Sequence, residues 1–176
     1  MLIKNFDALN STLQRKICLE LIESALLSIQ PENIIKKNIS LKENILTIQD
    51  QTFNLKDFER VFLIGFGKGS AGLSKEIEKI LGAFLTQGNV IDLVKEQFSK
   101  IEQTIGTHPL PSETNLNFTK KAIEQFIPEK SRSNRDNGAG NLTIRDLVIV
   151  VIAGGGSALF ESPYKISLDK LIEVNK

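Results

Sequence analysis

Asp146-Leu147-Val148-Ile149-Val150-Val151-Ile152-Ala153, running straight into Gly154-Gly155-Gly156-Ser157, decides the fold. Successive side chains of a strand point to opposite faces, so a strand wetted on one side alternates apolar with polar residues. This run does not alternate. It reads as a central strand of a parallel sheet, buried on both faces, that delivers the chain to a glycine turn. Arg60-Val61-Phe62-Leu63-Ile64 repeats the construction and ends in Gly65-Phe66-Gly67-Lys68-Gly69. Leu73, Ile77, Ile80 and Leu81 then mark the buried stripe of a helix closing near Gly82. Two strand–glycine–helix units specify an α/β fold with a mainly parallel sheet.

The remaining segments fit around these units. From Asn10 to Gln30, Leu13, Ile17, Leu21 and Ala25 recur every fourth residue, which predicts a helix packed through that face and stopped near Pro31. Residues 38–55 alternate short apolar stretches with polar turns and predict short antiparallel strands. Asn89–Val94 and Ile101–Ile105 are further strand candidates. Gly106-Thr107-His108-Pro109-Leu110-Pro111-Ser112-Glu113 is a turn, followed by a helix with Phe118, Ala122 and Phe126 on one face and Pro128 as its stop. Residues 129–143 are polar and aperiodic and read as a surface loop inside one domain spanning 1–176. Ser167 opens a last amphipathic segment that reaches Lys176.

Twenty-two basic residues stand against 21 acidic ones, a net charge of +1, which carries no footprint of a nucleic-acid binder. The apolar runs are too short to cross a bilayer, and residues 1–30 have charges throughout, unlike a cleavable signal, so a cytoplasmic protein is expected. Cys18 is the only cysteine and His108 the only histidine, which excludes a disulfide framework and a zinc site of the usual kind. No metal-ligand set is assigned.

The chemistry is expected where the two buried strands end. Glycines let backbone N–H groups approach an anion closely, and a helix N-terminus adds about half a positive charge, so Gly65, Gly67, Gly69, Gly154, Gly155, Gly156 and Ser157 are candidates for holding phosphate. Lys68 places a point charge where a transferring phosphoryl group would sit and is the candidate catalytic residue. His108 is a candidate for substrate contact. The letters do not spell a P-loop, because Phe62 stands where its first glycine belongs and Gly69 follows Lys68. Nor do they spell a nucleophile elbow, since Gly155-Gly156-Ser157-Ala158-Leu159 lacks the last glycine. Gly67-Lys68-Gly69-Ser70-Ala71-Gly72 does fit a dinucleotide fingerprint, with Asp92 placed as the ribose-binding acid. That reading, and a non-catalytic sugar-phosphate-binding module, stay open on the residues alone.

The order Gly65-Phe66-Gly67-Lys68, then Thr107-His108-Pro109-Leu110-Pro111 with Glu113, then Asp146–Leu159 and Pro163 resembles the N-terminal domain of glycerate 2-kinases, whose C-terminal part is the MOFRL domain. The likeness covers nearly the whole chain. It implies a Rossmann-like three-layer sandwich and phosphoryl transfer from ATP, with Mg2+, to the 2-hydroxyl of D-glycerate, in a cleft facing a second domain. Lys68 matches the family's active-site lysine, and Gly154, Gly155, Gly156 and Ser157 match its second glycine loop. Ala153 departs from the serine common there, and the 129–143 loop is longer and more polar than usual. The family's later asparagine–arginine pair and Lys-Gly-Gly run lie outside these residues. The chain is therefore expected to be inactive by itself, to need a C-terminal domain or complementary chain, and to self-associate through uncovered apolar surface.

Overall fold

The computed structural model describes residues 1–126 and 142–175. A one-turn helix α1 (Phe6–Leu9) precedes α2 (Leu13–Ser28) and α3 (Pro31–Asn38). Thr12 caps α2 by accepting the Arg15 amide, and Pro31 opens α3 where its missing N–H leaves no bond unmade. β1 (Ile39–Lys42), β2 (Ile45–Ile48) and β3 (Gln51–Asn54) form the antiparallel meander expected over 38–55. β4 (Arg60–Phe66), α4 (Ser70–Leu81), β5 (Leu85–Asp92), β6 (Ile101–Ile105), α5 (Glu113–Phe126), β7 (Asp146–Ile152), α6 (Gly156–Leu159) and α7 (Leu168–Val174) complete the chain. The four later strands are parallel, in the order β6-β5-β4-β7.

Alternation along the strands builds three layers. Val61, Leu63 and Val90 face α4 and pack with Ala71, Ile77 and Leu81, while Ile91 faces the other way and packs with Phe118 of α5 and Leu159. Ile35, Leu46 and Leu55 join the first cluster, so α3 and the small meander cover α4 from outside. The Rossmann-like sandwich read from the sequence is the observed architecture. No helix among the described residues is long and apolar enough to cross a membrane.

Three expectations need correction. β5 starts at Leu85 and not at Asn89, and it ends at Asp92. Gly88 masks its first half, being required because a Cβ there would come 2.9 Å from both the Leu63 carbonyl oxygen and the Ile101 side chain. β7 pairs only with β4 among the described residues, leaving Val150 and Ile152 exposed, so it is an edge strand there and β4 and β5 are the internal ones. The Leu13, Ile17 and Leu21 face of α2 does not pack: these side chains are 69%, 47% and 66% exposed. The helix sits instead on the face carrying Glu23, whose carboxylate accepts the Leu2 and Ile3 amides. Of the polar loop expected over 129–143, residues 129–141 lie outside the described ones, as do Pro128 and Lys176.

β4 and β7 are fastened at their starts. Arg60 donates from Nε to Asp146 Oδ1 at 2.8 Å and from Nη2 to Oδ2 at 2.7 Å, and the Asp146 side chain is fully covered. The Arg60 hydrogen bonds hold the Asp146 carboxyl below its ordinary range, against the opposing effect of burial. A carboxyl that titrates lower folded than unfolded contributes stability above its unfolded value, about 4, and loses it as the pH falls through the folded value. Asp146→Asn is therefore expected to lower the urea midpoint at neutral pH and to flatten its fall below about pH 4, read by circular dichroism. An acid limb identical to that of the unaltered chain would show that the pair contributes nothing.

Candidate functional site

From β4 the chain steps to β5 and β6 on one side and returns on the other side with β7, so the topological switch lies between β4 and β7. The crevice outside the carboxyl ends at such a point is where open α/β sheets bind ligands. Both glycine turns are there, and they touch. Ala153 donates its N–H to the Phe66 carbonyl at 2.9 Å, and Lys68 donates to the Gly154 carbonyl at 2.7 Å, extending the pairing beyond the strands. Gly67, at φ 108°, makes the approach possible: a Cβ on it would lie 2.3 Å from the Ala153 carbonyl oxygen.

The amides of the first turn are spoken for. Gly69 and Ala71 donate to Asp92 Oδ2 at 2.9 and 2.8 Å, and Ser70 donates to the Gly67 carbonyl at 3.1 Å. Asp92 is 1% exposed and also accepts the Leu93 amide at 2.6 Å. The N-terminus of α4 attracts an anion, as a helix should, but the anion is the chain's own carboxylate. Gly65 lies inside β4, where a Cβ would come 2.7 Å from Ser74 Oγ of α4, so it serves strand–helix packing. What the first turn offers a ligand is the exposed Lys68 side chain. The dinucleotide reading loses its key residue too, because the Asp92 carboxylate is buried on these amides.

The second turn is open. Gly155, at φ 73°, precedes α6, Gly156 is buried against Phe66, and Ser157 is exposed. Among the described residues the amides of Gly155, Gly156 and Ser157 donate to no acceptor in the chain. His108, half-buried in the turn after β6, completes the group. Its Nε2 lies 2.8 Å from the point a Cβ on Gly155 would occupy, and Lys68 Cε lies 3.0 Å from the same point. The space left by one missing side chain is thus shared by an imidazole and a lysine stem.

Two groups here were not singled out by the sequence reading. Asn115 is fully buried and links the His108 turn to α6; its place three residues after Ser112, the capping-box spacing, was the available signal. Glu161 follows Phe160, whose ring stacks on Phe66 at 4.4 Å. One Glu161 carboxylate oxygen is buried without a hydrogen-bond partner, and burial pushes its carboxyl above the ordinary range. No periodicity announces a lone carboxyl of this kind.

Comparison with known proteins matches residues 17–176 to a family described as "Domain of unknown function (DUF4147)". Glycerate 2-kinase of Picrophilus torridus is 30% identical over 179 residues, covering 99% of this chain and 38% of that protein. Glycerate kinase of Rattus norvegicus is 30% identical over 150 residues, covering 82% of this chain and 28% of that protein. A crystal structure of a Pyrococcus horikoshii OT3 protein superposes with a TM-score of 0.70 at 26% identity, covering 90% of this chain and 33% of that one. A glycerate kinase from Thermotoga maritima superposes at 0.66 with 21% identity, a likeness of fold alone. The chain spans about a third of the length of these relatives.

The closed first turn makes a stability prediction. Asp92→Ala would leave the buried Ala71 amide and the more exposed Gly69 amide without their acceptor, and the loss at a buried amide costs about 1–3 kcal/mol. A total of about 3 kcal/mol is expected in urea unfolding, with Gly154→Ala, where a Cβ meets nothing within 4 Å, as the mild control. Equal stability of the two variants would show that the Asp92 bonds are not what closes the turn.

Proposed function

The chain belongs to the DUF4147 family, and on that premise we propose that it is the N-terminal part of an ATP-dependent glycerate 2-kinase. The observation that carries the reading is the convergence of Lys68 and His108 on Gly155, beside three amides with no acceptor in the described chain. The family relatives named glycerate kinase give the substrate class.

In this reading ATP lays its phosphates along the Gly154–Ser157 turn. The amides of Gly155, Gly156 and Ser157 and the Ser157 hydroxyl donate to phosphate oxygens, while Lys68 supplies the positive charge and His108 holds the ligand's other side. The 2-hydroxyl oxygen of D-glycerate bonds to the γ-phosphorus as the bond to ADP breaks, and the hydroxyl proton leaves to a base. Such a transfer asks a protein mainly for position and charge, which are what these groups supply. Gly65, Gly67 and Gly69 serve the same end indirectly, by holding Lys68 against the second turn.

Magnesium is the usual companion of ATP, held by one or two carboxylates and the phosphates themselves. Among the described residues no group of three His, Cys, Asp or Glu side chains gathers into a cage, so the ion would be carried mainly by the phosphates themselves. Further charges are assigned to a second domain or chain of the MOFRL type, acting with this one in the cytoplasm.

Two measurements test the proposal. ATP is expected to bind the 176-residue chain in competition with ADP while NAD does not compete, and Lys68→Met is expected to weaken ATP by about tenfold without loss of stability. In a complete enzyme the same substitution should lower turnover about a hundredfold, corresponding to about 3 kcal/mol of transition-state stabilisation. Binding of NAD in preference to ATP, or unchanged turnover in Lys68→Met, would sink the kinase reading.

A further inference from the structure

Asn115 stands at the third position of α5, with Ser112 as the cap. At this position a longer polar side chain commonly turns back to the cap residue's amide. Asn115 does more. Its Oδ1 accepts the Thr107 amide at 2.9 Å and the Ser112 hydroxyl at 3.1 Å, and its Nδ2 donates to the Thr107 carbonyl at 2.9 Å and to the Ala158 carbonyl at 2.8 Å. Both polar atoms are used twice, in a side chain with no exposed surface. The partners belong to the two loops that the candidate site needs. Thr107 immediately precedes His108, and Ala158 lies in the short helix that begins at Gly156.

The packing around this residue is equally committed. A Cβ on Gly106 would come 2.9 Å from Asn115 Oδ1 and 2.6 Å from Leu159 Cδ2, so the chain has no side chain where one would push the amide off its partners. Thr107 Oγ1 closes the same turn by donating to the Leu110 carbonyl at 2.9 Å. Among the described residues, the side-chain strap from the His108 turn to the second glycine loop is Asn115.

We propose that Asn115 is a positioning residue that holds the His108 imidazole against Gly155, and so sets the width of the phosphate site between His108, Lys68 and the Gly155–Ser157 amides. Its use in catalysis rests on the function proposed above; its geometric action does not. Asparagine suits the role because a backbone N–H and two carbonyls must be served from one small side chain, which calls for an acceptor and a two-proton donor together. Aspartate would keep both acceptor bonds and lose both donor bonds, including the one to Ala158.

His108 is the only histidine in the chain, so its ring protons give a single resolvable set of NMR signals. In the unliganded 176-residue chain a nuclear Overhauser contact is expected between the ring Hδ2 of His108 and an α-proton of Gly155. It should disappear in Asn115→Ala and in Asn115→Asp and persist in Ser112→Ala, which disturbs the same helix cap without cutting the strap. Titration with ATP should shift the His108 ring signals in the unaltered chain, and the dissociation constant should rise about tenfold in both Asn115 variants and less than about twofold in Ser112→Ala. Should Asn115→Ala fail to fold, Asn115→Asp, which preserves the closed cap, carries the comparison alone. Persistence of the His108–Gly155 contact in a folded Asn115 variant would overturn the positioning role, whatever ATP does. The contact present and lost as expected, with no response of His108 to ATP in the unaltered chain, would confirm the positioning role and overturn the nucleotide reading instead.

Discussion

Two backbone turns can lie bonded edge to edge only where no side chain stands between them, and the rest of this molecule is arranged around the place where that happens. Gly67 meets the Ala153 carbonyl closely enough that a single added carbon would overlap it. The unbroken register from Arg60↔Asp146 to Phe66↔Ile152 brings the two strands to that point level with one another. The bidentate Arg60–Asp146 pair fixes the far end of the same register. Remove the close approach and Lys68 no longer bonds to Gly154, so its stem has no fixed relation to Gly155 or to His108.

How far the sequence reveals this depends on whether a residue's job is periodic. β4 and α4 are legible because a continuous apolar run and a 3.6-residue stripe are statements about repeated burial. The meander over 39–54 is legible from its short apolar stretches set between polar turns. β5 is half hidden because Gly88 and Asn89 interrupt its apolar letters, although Asn89 is buried and bonded to Gln125. α2 misleads in the opposite sense. Its Leu13–Ile17–Leu21 spacing is a genuine helical stripe, but periodicity names a face that is apolar and not the face that is covered, and here Glu23 anchors the covered one.

The candidate site divides along similar lines. Gly67, Gly69 and Gly155 could be picked out because positive-φ turns after buried strands restrict the residues allowed, and Lys68 and His108 because they stand in loops that follow strands. Asp92 and Asn115 could be seen in the letters but not understood. A buried polar side chain is defined by what it bonds across the fold, and Asp92 reaches Gly69 and Ala71 from a strand more than twenty residues away. On spacing alone it looked like a ribose ligand; in place it is the counter-charge of α4.

The seating of an internal carboxylate on its amides is what distinguishes the first turn from the second. A helix N-terminus whose amides are exposed would be free to bind an anion and equally free to relax when empty. With Asp92 seated on its amides, the first turn has these donors satisfied within the chain, and the lysine it carries stands on a hydrogen-bonded base. The dipole of α4 is already answered by a negative charge, so what the turn presents outward is the Lys68 ammonium. The second turn has the complementary design: no cation, but amides left open and a serine at its exposed side. A turn closed by Asp92 and bearing an exposed lysine lies beside a turn whose amides are open, and His108 stands against Gly155 in a loop that Asn115 bonds to Ala158.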